Sequence, residues 1–182
     1  MAFPAPLTAL RESEYQALRA TIRERGTMRV CLVLAGLGMW GGLALVVRLS
    51  GLEGAVTLVP LLVLAATFEV NFFIHTGVER VGRYVQVFYE EAAGTPGWET
   101  TAMNYGTRFP TPMLDPLFAA IFSAGTAVNF VALVGAPARP TAWIALSLMA
   151  HLAFAYRIVA ARKTAAAQRA TDLDRFRSLI SK

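Results

Sequence analysis

Val30–Val47, VCLVLAGLGMWGGLALVV, runs eighteen residues without a charge, and its reading decides the fold. A bilayer is crossed by about 20 mostly apolar residues at ~1.5 Å rise each, so this run has the length and character of a transmembrane helix. Downstream of Arg48 a second run starts at Gly54. It stays uncharged to Phe68, accepts Glu69 and Asn71, and continues through Phe72, Phe73 and Ile74 before Glu79. A third follows Asp115-Pro116, where aspartate suits the N-cap and proline the first helical position, and is uncharged from Leu117 to about Gly135. A fourth begins near Thr141, after Pro140, and reaches Tyr156 before Arg157. The connections at Arg48–Glu53 and Ala136–Pro140 are so short that each joins an antiparallel pair.

Upstream of the first run, Leu7, Leu10, Leu18 and Ile22 recur at helical spacing, with Arg11, Glu12, Arg19, Arg23 and Glu24 on other faces. This predicts an amphipathic lead-in helix, interrupted at Gly26. Beyond the second run, Ile74, Val78, Val81, Val85 and Phe88 keep spacings of three and four with no proline before Pro96. The helix therefore continues several turns, with Glu79 and Arg83 paired at i and i+4, and stops at Gly94-Thr95-Pro96-Gly97. The fourth run continues without glycine or proline past Arg162, Lys163 and Arg169 to the apolar trio Leu173, Phe176 and Ile180.

The expected fold is all-α and polytopic: four transmembrane helices arranged as two helical hairpins with cytoplasmic helical extensions. Residues 1–27 form the N-terminal amphipathic helix. Residues 28–75 form the first hairpin, with spans at about 30–48 and 54–75. Residues 76–113 hold the helical extension and an interfacial loop rich in Trp98, Tyr105, Phe109, Pro110 and Pro112. Residues 114–160 form the second hairpin, with spans at about 116–135 and 141–160, and 161–182 a basic C-terminal helix.

Of the 17 lysines and arginines, fifteen fall before the first span, between the second and third, or after the fourth; Arg48 and Arg139 alone fall in the short connections. By the positive-inside rule the termini and central segment are cytoplasmic, in what reads as the cytoplasmic membrane of a prokaryote. Anionic lipid of the inner leaflet accounts for the net charge of +5 without a nucleic-acid partner. A 55% hydrophobic chain with 16% charged residues is too apolar for a water-soluble domain of this length. No secretory signal is expected in the Met1-Ala-Phe-Pro-Ala-Pro opening, which lacks a basic stretch and a short apolar core.

Chemistry-bearing residues are few. A carboxylate inside a span costs roughly 2.5–3.5 kcal/mol on insertion scales, so Glu69 needs a partner. Counting depth along the helices puts His151 near the level of Glu69, and Asn71 and Asn129 complete a candidate intramembrane polar cluster: Glu69, Asn71, Asn129 and His151. Such a cluster either locks spans together or carries protons or ions. Gly38-x-x-x-Gly42 and the small face through Ala120, Ala124 and Val128 are the expected helix-packing surfaces. Val78, Val81, Val85 and Phe88 are the expected cytoplasmic contact seam, closed within a small bundle or offered to a partner. The single Cys31 excludes an intrachain disulfide. His75 and His151 are the only histidines, and Glu90, Glu91 and Glu99 lack His or Cys companions, so no metal site, haem or other cofactor and no catalytic group is expected. The expected function is a non-catalytic membrane subunit or scaffold that associates with itself or with a partner membrane complex. The alternative is an oligomeric channel or ion-coupled transporter using Glu69 and His151.

Overall fold

The computed structural model describes residues 5–94, 96–108, 116–135 and 140–180. The described residues form an all-helical fold without strands. Helix α1 spans Ala5–Leu49, α2 Val59–Val85, α3 Trp98–Arg108, α4 Pro116–Val134 and α5 Thr141–Ile180. A 3-10 turn, Gly54–Leu58, leads into α2, and a π-helical turn, Gln86–Glu91, extends it. Three helical stretches, Thr8–Leu49, Gly54–Glu91 and Thr141–Ile180, are long and apolar enough to cross a membrane; Phe118–Val134 is a shorter apolar helix. The Asp115 cap, residues 109–113 of the expected interfacial loop and residues 136–139 of the second connection lie outside the described residues.

The expected interruption at Gly26 is corrected: α1 is one helix of 45 residues that passes through it. A glycine inside a helix costs only about 1 kcal/mol relative to alanine, and the helix formers around it, Arg23, Glu24, Arg25 and Met28, carry the helix across. Where α1 does end, Gly51 takes φ +62° and the Leu52 amide donates to the Val47 carbonyl at 3.3 Å, the six-to-one bond of a Schellman cap. Gly54 (φ +71°) then turns the chain into the 3-10 segment, whose Thr57 hydroxyl donates to the Gly54 carbonyl. Gly94, at φ +68°, ends the second long helix.

The chain divides into two compact units. The apolar unit comprises Val30–Phe72 and Pro112–Thr164. Its core is centred on Phe68, fully buried, whose ring meets Phe72, Phe118, Phe122 and Phe154 with centroids 5.3–6.2 Å apart. Stacked and edge-on rings at these distances contribute beyond their buried area. Leu64 abuts Gly125 while Phe68 meets Phe122 and Phe118, so α2 and α4 run antiparallel here. Phe68 meets Phe154 and Glu69 meets Arg157, so α2 and α5 run in the same direction.

The polar unit comprises Met1–Arg29, Phe73–Thr111 and Ala165–Lys182. Val85 and Val87 are fully buried, and Tyr84, Phe88 and Phe176 form a ring cluster with centroids 4.6–6.1 Å apart. The seam residues Val78 and Val81 are half-buried. This unit is laced by ion pairs: Glu79–Arg169 at 2.6 Å, Arg80–Asp172 at 3.1 Å and Glu91–Arg177 at 2.7 Å. The expected Glu79–Arg83 pair within one helix is therefore corrected. Glu79 reaches Arg169 on another helix, and Arg83 turns inward, because an i,i+4 pair worth a few tenths of a kcal/mol yields to contacts that also bury the side chains.

Candidate functional site

In the apolar unit the buried Asn129 and His151 and the half-buried Trp40 form a directed hydrogen-bond chain. His151 Nδ1 lies 2.6 Å from the Ser147 carbonyl, one helical turn back. A carbonyl only accepts, so Nδ1 carries the proton and Nε2 is left as an acceptor. The Asn129 side chain lies 3.0 Å from Nε2 and donates through Nδ2, which turns its Oδ1 toward the Trp40 indole N–H at 3.4 Å. The sequence Trp40 → Asn129 → His151 → Ser147 carbonyl then has every proton assigned. The chain thus fastens α1, α4 and α5 through their polar atoms. Phe130 packs edge-on against the His151 ring at 5.2 Å and completes the enclosure.

Of the four residues of the expected cluster, the structure joins Asn129 to His151 and sets Asn71 fully buried on α2. The Glu69–His151 contact is corrected. Glu69 makes a two-pronged ion pair with Arg157, Nε to Oε1 and Nη2 to Oε2, each at 2.8 Å. The Arg157 guanidinium also lies 4.8 Å from the Phe72 ring centroid. Depth along a helix axis, the only ruler the sequence offered, is silent on azimuth, and a long arginine stem reaches back a full turn. This pair is not enclosed by its own chain: the Glu69 and Arg157 side chains are 48% and 35% exposed.

The expected helix-packing faces are open within the chain. Side chains built at Gly38 and Gly42 would meet nothing within 4 Å, and Ala120 and Ala124 are exposed. The close approach is made by Gly36, where a Cβ would sit 2.8 Å from the Thr67 Cβ and overlap the rest of that side chain. Gly125 does the same on α4, facing Leu64 at 3.1 Å.

In the polar unit the acidic residues Glu90, Glu91 and Glu99 are satisfied by arginine and backbone. Glu90 accepts from the Glu99 amide at 2.9 Å and from the Thr100 amide and hydroxyl, each at 2.7 Å, capping the N-terminus of α3. Gly97 permits this, since a Cβ there would fall 2.7 Å from the Glu90 Cγ. Glu99 bridges Arg19 at 2.9 Å and the buried Arg83 at 3.2 Å, and Arg83 donates to Gln86 at 2.6 Å. Among the described residues no group of three or more His, Cys, Asp or Glu has metal-binding geometry. Sequence reasoning missed Arg157, Trp40 and the Arg19–Glu99–Arg83 bridge. The signal for Trp40 was present, because an indole N–H in the middle of an apolar span requires a partner.

Replacing Asn129 with leucine is expected to lower stability by about 1 kcal/mol, since both Trp40 Nε1 and His151 Nε2 lose their partner while the volume is kept. Thermal melting in detergent checks this, and an unchanged midpoint would deny the chain its fastening role.

The class defined by these features is an all-helical protein with three helices long and apolar enough to cross a membrane. Comparison with protein-family models, with curated proteins and with solved structures gives no match.

Proposed function

We propose that the chain is a non-catalytic integral membrane subunit that associates, through its apolar helices, with further copies or with a partner membrane complex. The observation that carries this reading is the Glu69–Arg157 pair. On a four-span reading, with α4 as the third span and the termini cytoplasmic, Glu69 lies six residues before the inner end of the second span near residue 75, roughly 9 Å into the hydrocarbon. There, half-exposed charged side chains in contact with lipid are costly even when paired. A second protein surface laid over them removes that cost. Val70 and Tyr156, next to the pair in sequence, are exposed, as is Phe73 one turn along α2 from Glu69. The open glycine face of α1 at Gly38 and Gly42 offers a further route of close approach. The antiparallel α2 and α4, with α2 and α5 running together, agree with an up-down-up-down threading. Nineteen residues of α4 give about 28 Å, close to the hydrocarbon thickness.

Ala66 is exposed one turn before Glu69 on the same helix. Ala66→Trp places a bulky ring beside the pair without disturbing a contact inside the chain. Wild-type protein released from nanodiscs into a native mass spectrometer is expected as an oligomer or with a bound membrane partner, and Ala66→Trp as a monomer with an unchanged melting temperature. Recovery of the wild type as a lone monomer overturns the proposal.

A further inference from the structure

A cavity of about 210 Å³ opens within the apolar unit where α1 gives way to α2. One wall is apolar, with Val47, Leu52, Pro60 and Leu133. Three features of the remaining lining point to a ligand. Arg48 and Glu53, of opposite charge, both line the hollow, and neither has an ion-pair partner among the described residues. The backbone keeps them in place: Arg48 is in the last turn of α1, and Glu53 is an extended residue held between the left-handed turns at Gly51 and Gly54. Asn129, 6% exposed, also lines the cavity. After serving Trp40 and His151 it retains one N–H on Nδ2 and one lone pair on Oδ1.

We infer that this cavity binds a small zwitterion, with phosphate-type oxygens on the Arg48 guanidinium and a primary ammonium on the Glu53 carboxylate. A guanidinium presents a flat fork of donors suited to two anionic oxygens. A carboxylate is acceptor-only and takes the N–H groups of an ammonium. The hollow, about 210 Å³ and open on one side, has room for a phosphoethanolamine-sized group. Arg48 directly follows the uncharged stretch Val30–Val47, so the cavity lies at headgroup depth, and the apolar wall at Leu133 offers a path for attached chains. The same chemistry has two sources, the headgroup of a phosphatidylethanolamine and a free zwitterion. The inference is independent of the association reading, since every residue in it belongs to one chain.

The test is a titration of the full-length protein in detergent with short-chain phosphatidylethanolamine, phosphatidylcholine and phosphatidylglycerol, read by native mass spectrometry. Phosphatidylethanolamine is expected to bind about tenfold more tightly than the other two, because methylation removes the N–H donors to Glu53 and glycerol removes the cation. Glu53→Gln is expected to erase that preference, and Arg48→Gln to weaken all three lipids. Both side chains are exposed, so neither variant perturbs the core. With the preference present, competition by O-phosphoethanolamine identifies a free zwitterion as sufficient, and absence of competition identifies the lipid; either upholds the site. Equal binding of the three lipids, or a preference unchanged in Glu53→Gln, overturns it.

Discussion

Glu99→Leu is expected to destabilise the polar unit by about 3–5 kcal/mol, the largest effect of any single replacement considered for this chain. Arg83 is 4% exposed and its Nε atom already lacks a hydrogen-bond partner. Among the described residues its one ion pair is with Glu99, which also holds Arg19, while Glu79 and Glu90 add favourable charge from further off. Leucine would leave a buried guanidinium without its ion pair, with the Gln86 amide oxygen as its remaining acceptor among the described residues. The cost therefore lies in the orphaned charge, and removing that charge should recover most of it: the double variant Glu99→Leu with Arg83→Leu is expected to lie within about 1–2 kcal/mol of wild type. Hydrogen exchange across residues 80–108 distinguishes the two. Fast exchange in the single variant and near-normal protection in the double supports the account; equal protection in both would remove Arg83 as its cause.

The second large effect concerns α1. Gly36→Ala is expected to cost about 2 kcal/mol, because its Cβ would overlap the Thr67 side chain down to that residue's own Cβ, an obstacle no rotamer change clears. The Thr67 hydroxyl is also tied to the Val63 carbonyl at 2.8 Å, which holds the side chain in place. Gly38→Ala and Gly42→Ala, at open positions, should leave the melting temperature of the isolated chain unchanged or slightly raised, since alanine is the better helix former. If all three variants melt alike, α1 is not seated through Gly36. The contrast also separates folding from association, because a subunit that packs on neighbours through Gly38 and Gly42 would lose its partner in the latter two variants while keeping its own fold.

Periodicity and punctuation made the helices legible. The apolar runs, the three-four spacing from Ile74 to Phe88 and the glycine at position 94 each act within a few residues of chain, where sequence order and spatial order coincide. Partners were less legible. The glycine motif in α1 gives a spacing of four, but Gly36 and Gly38 point about 200° apart on a helix, and only the position of α2 decides which meets a neighbour. Glu69 was recognised as needing a counter-ion, yet Arg157 reads in sequence as the charge that ends a span. Its role emerges only when α2 and α5 lie side by side in the same direction. Glu79 and Arg83 satisfied a local rule that longer-range arginine and glutamate partners then outcompeted.

The π-helical turn at Gln86–Glu91 gives the second long helix a register seam. Such a turn holds one residue more than the α-helical turn it replaces, so everything beyond it is rotated by about 100° from where an unbroken helix would set it. Glu90 at the start of α3 and Glu91 beside Arg177 owe their bearings to that extra residue. Losing one residue between 86 and 91 would thus be a change of phase, swinging both carboxylates off their targets at once. In this chain the length of that short segment is as much a part of the polar unit's specification as the identity of any residue in it.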